Sequence, residues 1–186
     1  MIKIRLATAM ATVAGLAKIW KSRDIQFSTK MKLYRSLVLS VLLYGCESWT
    51  LTADLEKRIQ AFETKCFHRM LHISWTERKT NEYVRTQVEA LAGPQEPILA
   101  VVRRRKISWL GHVTRHNSLA KTILQGTVEG GRRRGRPRRS WTDDIKNWTS
   151  LEMPQLLTEV EDRRSWRRLS ASTSLMSPRR PDRLRD

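Results

Sequence analysis

Apolar residues recur along this chain at helical rather than strand spacing. Near the N-terminus, Leu6, Met10, Val13, Leu16 and Trp20 follow one another at steps of three and four and predict an amphipathic helix. A rival face through Ile4, Ala7, Ala11, Ala14 (or Gly15) and Lys18 is the poorer stripe. Ser28 or Thr29 is a good N-cap for a second helix. Its apolar positions run from Met31 through Tyr34, Leu37, Val38 and Leu42 towards Tyr44, a face wide enough to predict a central place in the core. Gly45 marks its stop. Thr52 caps a third helix, with Asp54 and Glu56 near its positive end and a regular stripe of Leu55, Ile59, Phe62, Cys66 and Met70.

Thr80 starts a short helix with Val84, Val88 and Leu91 inward. After the break at AGPQEP, Pro97 suits the first turn of a helix reaching His112, with Ile98, Val101, Val102, Trp109 and Val113 for packing. Ser118 caps a short helix through Leu124, and GTVEGGRRRGRPRR excludes a stable helix. Ser140 and Asp143 form a capping box ahead of WTDDIKNW, and Pro154 opens a last helix through Leu169. Residues 170–186 read as a disordered tail. No run alternates as a strand would. The expected fold is all-α, one or more small helical bundles with a basic Gly/Arg/Pro loop. The segments are a helical region over 1–92, a basic helical connector over 93–129, a basic RGRP loop over 130–140, C-terminal helices over 141–169 and the tail over 170–186.

Charge sharpens this picture. The 186 residues hold 36 Lys and Arg against 18 Asp and Glu, a formal charge of +18 with a pI near 11.0. Hydrophobic residues make up 40%, enough for a core, which excludes full disorder. Two cysteines exclude a disulfide-dense scaffold. The excess is concentrated: residues 103–139 carry 12 basic residues against a single acid, Glu129, whereas residues 51–102 carry seven of each sign. A solvated helix face usually interleaves both signs, so the interval predicts a polyanionic partner. The longest strongly apolar run, Leu37 to Tyr44, is too short to span a bilayer. The acid-free N-terminus has a weak targeting-like pattern, for which the amphipathic helix is the preferred reading.

Catalytic signals are few. Asp143-Asp144 is the one adjacent acidic pair that could suggest a two-metal site, and its place in the first turn after Ser140 favours capping instead. No nucleophile elbow, phosphate-binding glycine loop or HExxH occurs. Cys46, Cys66, His68, His72, His112 and His116 could supply zinc ligands, but without a CxxC pair buried thiols and surface imidazoles account for them. The nucleic-acid signal is stronger. Arg134-Gly135-Arg136-Pro137, inside RRRGRPRR, has the local pattern of an AT-hook that lays arginines along a narrow minor groove. A flexible basic linker touching only phosphates is the alternative. Seven tryptophans stand at 20, 49, 75, 109, 141, 148 and 166. Trp109 and Trp141 flank the basic segment and could stack on bases, although core roles are commoner.

Several blocks, in order, resemble the C-terminal part of a non-LTR (LINE-type) retrotransposon endonuclease–reverse transcriptase. KMKLYRSLVLSVLLYGCESWTL (30–51) is similar to its thumb region, so that 1–92 is expected to be thumb-like. RRRKISWLGHVTRH (103–116) resembles its R-x-x-W-x-G-H block, GGRRRGRPRRSWTDDIKNW (130–148) its basic G-R-P block with W-x-D-x-I, and EDRRSWRRL (161–169) its closing D-R-x-x-W-R block. The family's polymerase acids lie upstream of the matched thumb, and neither they nor the endonuclease domain occur in this chain. Asp143-Asp144 cannot stand in for them. The resemblance therefore implies a non-catalytic nucleic-acid-binding remnant, with no catalytic residue, no metal site and no cofactor; magnesium is expected only for the full-length family enzyme. The alternatives are an active part completed by a separately encoded palm, or a degenerate fragment. The expected partner is DNA or RNA, held mainly by its backbone, in the nucleus, and no membrane. The expected contacts are Arg103, Arg104, Arg105, Lys106, Arg132, Arg133, Arg134, Arg136, Arg138 and Arg139, with Lys30, Lys32 and Arg35 from the thumb-like helices.

Overall fold

The computed structural model of the protein describes residues 1–116, 119–125 and 139–175. Among them every regular element is a helix, as the periodicity predicts. The chain divides into two compact units, Met1–Leu99 and the residues from Ala100 onward.

In the first unit, α1 (Ile2–Gly15) buries Ile2, Ala9 and Val13. Ile4, on the rival face, is largely exposed. The helix breaks at Leu16, and α2 (Ala17–Lys21) carries Trp20 back over the break. The Trp20 indole N–H donates to the Val13 carbonyl at 2.8 Å, satisfying an acceptor that the end of α1 leaves open.

The predicted second helix begins at Phe27, slightly before its expected caps, and is not uniform. α3 (Phe27–Leu33) passes into a π-helical segment, Tyr34–Leu39, and then α4 (Ser40–Leu42). The extra residue in a π turn rotates everything after it. Within this segment Val38 is wholly buried while Leu37, predicted inward, is 42% exposed. Gly45 ends the rod in the left-handed region at φ 66°, where a side chain would be strained.

α5 (Ala53–Met70) is capped by Thr52, whose hydroxyl accepts the Leu55 N–H at 3.4 Å. Ile59, Phe62, Cys66 and Met70 are buried on the predicted stripe, and Phe67 meets Tyr34 edge-on with ring centroids 5.8 Å apart. α6 (Asn81–Ala92) starts at its Thr80 cap and buries Val84 and Val88. Leu91, predicted inward, is exposed on the last turn before Gly93. Glu63 is a buried acid that the helical pattern did not flag. One of its oxygens accepts the Ile98 N–H at 3.1 Å, and the other pairs with Arg85 at 3.3 Å. It thus caps α7 (Ile98–Arg115), whose first amides would otherwise lack acceptors.

The second unit is built from the rest of α7 with α8 (Leu119–Gln125), α9 (Trp141–Thr149), α10 (Met153–Glu161) and α11 (Arg163–Leu175). Its core includes Val102, Ile107, Leu110, Ile145, Leu156 and Trp166. The part of the basic connector from Ala100 onward and the C-terminal helices fall in this unit, and residues 93–99 in the first. Two expectations are corrected. The single last helix is two, because the Asp162 carboxylate accepts the Arg164 N–H at 2.8 Å and restarts the chain as α11. The disordered tail does not begin at 170, because α11 continues to Leu175 with Ser170 and Thr173 buried. The remainder of the expected tail, 176–186, and the RGRP loop up to 138 lie outside the described residues.

Gly111 shows why the helices of this unit meet as closely as they do. A Cβ built on it would lie 2.6 Å from Cδ1 and 2.8 Å from Cε2 of Trp166. The indole sits directly on the α7 backbone, and its N–H donates to the Ile107 carbonyl at 3.2 Å.

Candidate nucleic-acid interface

Four consecutive cations, Arg103 to Lys106, sit on α7, and an α-helix turns successive residues to different sides. Arg104 and Arg105 are exposed. Arg103 and Lys106, three apart, face inward and are 5% and 0% exposed. Lys106 is bound from several sides. Its ammonium donates to Asp144 Oδ2, and it lies 4.7 Å from the ring centre of Trp141 and 5.4 Å from that of Trp148. The Arg103 guanidinium lies 5.5 Å from the Trp148 ring. Burial pulls the proton affinity of Lys106 below its ordinary 10.5, while the hydrogen bond and charge of Asp144 oppose that shift. Lys106 and Arg103, both expected on the binding surface, are instead occupied inside the unit.

Asp144 has a second partner. Its Oδ1 accepts a hydrogen bond from Arg139 Nε at 2.7 Å. One fully buried carboxylate thus holds a cation from α7 and the arginine that precedes α9. The other acid of the pair behaves as predicted: Asp143 Oδ2 accepts the Ser140 N–H at 2.6 Å in a capping box. Trp109 and Trp141, both half-buried, pack edge-on against each other with centroids 5.3 Å apart.

The remaining predicted contacts divide in the same way. Lys30 is buried, donating to the Trp20 carbonyl at 2.9 Å and approaching His72 Nε2 at 3.4 Å, and burial lowers its proton affinity. Lys32 and Arg35 are exposed, and Arg35 donates to the Gln95 side chain. Arg132, Arg133, Arg134, Arg136 and Arg138 lie outside the described residues. The buried cations carried a readable signal. Lys106 falls on the apolar stripe of Ile98, Val102 and Val113, and Lys30 lies between Phe27 and Tyr34 at helical spacing.

As to metal, Cys46 and Cys66 are buried free thiols, and burial pushes Cys66 up to about 12. His112 and His116 stack edge-on at 5.3 Å. Among the described residues no group of three or more His, Cys, Asp or Glu is placed to hold an ion. No described helix is long and apolar enough to cross a membrane.

The geometry defines an all-helical chain that keeps part of its cation excess for its own interior and turns part of it outward. This chain is similar to a Caenorhabditis elegans protein described as transposon-derived and uncharacterized, with 26% identity over 146 residues, 74% of this chain and 52% of that protein. The chain thus spans about half the length of the curated relative it matches. That likeness supports a transposon origin. No protein-family profile matches the chain, and no solved structure matches it.

Proposed function

We propose that this chain is a non-catalytic, nucleic-acid-binding part of a non-LTR retrotransposon reverse transcriptase. The observation that carries the reading is the Lys106–Asp144–Arg139 junction. Near the two ends of the basic interval 103–139, Lys106 and Arg139 are held by one buried carboxylate of the second unit. Both its ends are therefore anchored on the same body, with Arg104 and Arg105 exposed beside the first. A basic segment tied down at both ends loses less freedom on meeting a polyanion than a free tail would. Arginines suit phosphate because their planar fork presents paired donors. The one Asp-Asp pair supports the non-catalytic half of the reading, since Asp143 is spent on a cap and Asp144 on two cations. The resemblance to the reverse transcriptase blocks and the transposon-derived relative supply the evolutionary half. Work on nucleic acid in the nucleus follows from this origin.

Charge reversal tests the proposal. Arg104→Glu with Arg105→Glu is expected to weaken binding of a mixed-sequence duplex by more than about tenfold at 0.15 M salt, with far-UV circular dichroism verifying that the variant still folds. Unaltered affinity would refute the interface. Primer extension by the purified chain is expected to give no nucleotide incorporation, and incorporation would overturn the non-catalytic reading.

A further inference from the structure

Residues 51–102 hold equal numbers of acids and bases, but the fold separates them. A cleft of about 940 Å³ lies between the C-terminal half of α5 and the segment leading into α6. Lys65, His68, Arg69, Arg78 and Lys79 line it, and Thr64, Thr76 and Asn81 add neutral hydrogen-bonding groups. Ala61 and Ile73 supply the apolar part. No carboxylate is among these lining residues. Two of the region's acids have other partners. Glu63 is buried against Arg85 and the Ile98 amide. Glu77 accepts the Ser74 N–H at 2.7 Å. Asp54 and Glu56 sit at the far end of α5, and Glu82 in the first turn of α6.

Lys65, Arg69, Arg78 and Lys79 are all exposed, and none forms an ion pair with a described carboxylate. Lys79 is held 5.0 Å from the Tyr83 ring centre. Arg78 takes a left-handed backbone at φ 49°, uncommon for a residue with a side chain. Four gathered cations repel one another unless a counter-charge joins them.

We propose that this cleft binds the phosphodiester backbone of a single nucleic-acid strand, at a site separate from the α7 interface and resting on different residues. Lys65 and Arg69 stand one helical turn apart along the cleft, so they address successive positions on a passing chain rather than one point. The cleft is open to solvent and larger than one phosphate requires, which suits a strand that enters and leaves. Cations and hydroxyls recognise phosphate and sugar irrespective of base, so binding here is indifferent to sequence.

The test uses the full chain, a labelled single-stranded oligonucleotide of mixed sequence, and two charge-matched double variants of exposed α5 residues. Lys65→Ala with Arg69→Ala removes two cleft cations; Lys57→Ala with Arg58→Ala removes two from the same helix outside the cleft. The cleft variant is expected to lose about tenfold in affinity at 0.15 M salt, and its log–log salt slope to become shallower by about 1.4, the effect of two single-strand phosphates. The control is expected to stay within about twofold of wild type. Identical behaviour of the two variants would overturn the site. ATP displacing the oligonucleotide from wild type but not from the cleft variant would reassign the cleft to a free phosphorylated molecule and overturn the strand. Repeating both variants on an Arg104→Ala, Arg105→Ala background separates the two sites. A cleft effect that persists there supports the cleft whatever becomes of α7, and its disappearance refutes independence.

Discussion

Gly111 and Trp166 are the residues through which the second unit is most sharply specified. A glycine inside a helix ordinarily costs about 1 kcal/mol relative to alanine, so Gly111→Ala would stabilise an isolated helix. Here the added methyl meets a rigid, buried indole that is hydrogen-bonded in place. Crowding wins: Gly111→Ala is expected to destabilise by about 1–3 kcal/mol in urea unfolding, and a gain in stability would show that the indole can yield. Glu63 makes a pH prediction. Burial raises its proton affinity, while the Arg85 charge and the Ile98 amide pull it back. An acid with a raised folded value contributes most stability below its ordinary 4.5, and loses that contribution as pH rises through the folded value. Wild type should therefore lose stability relative to Glu63→Gln as pH climbs above 4.5; parallel pH profiles would contradict this. Cys66, buried with its thiol pushed up to about 12, should resist a thiol reagent at neutral pH until the chain is unfolded.

At the scale of elements, Asp144 joins α9 to α7. Asp144→Asn leaves the Lys106 ammonium buried without a countercharge, a change expected to cost about 3–5 kcal/mol. Asp143→Ala removes only a cap, at about 1 kcal/mol. Equal losses on chemical denaturation would contradict the buried junction. The two neighbouring acids also mark how far sequence reading reaches. Asp143 follows from local rules, because a capping box needs only Ser140 and the spacing. Asp144 and Lys106 are 38 positions apart, and nothing local pairs them. Helix starts at Thr52 and Thr80 and the α5 stripe were legible for the same local reason. The π segment at Tyr34–Leu39 was not, because a shift in hydrogen-bond register leaves the apolar pattern almost unchanged. The break at Asp162 also went unread, since both halves continue an acceptable helical pattern. On α7, four adjacent cations predicted one basic surface, and the helix divides them between interior and solvent.

For the molecule as a whole, total charge is a poor guide to where charge acts. The excess of +18 is partly consumed inside, by Lys30, Arg103 and Lys106. The neutral middle of the chain gathers a cleft lined by exposed cations and no carboxylate. The central claim, that this chain grips the backbone of nucleic acid through the cations it turns outward, is tested most directly by the salt dependence of duplex binding. With about eight phosphates neutralised, log affinity plotted against log salt concentration is expected to fall with a slope near −7 between about 50 and 200 mM salt, whatever the sequence. A slope shallower than about −2 would contradict the account.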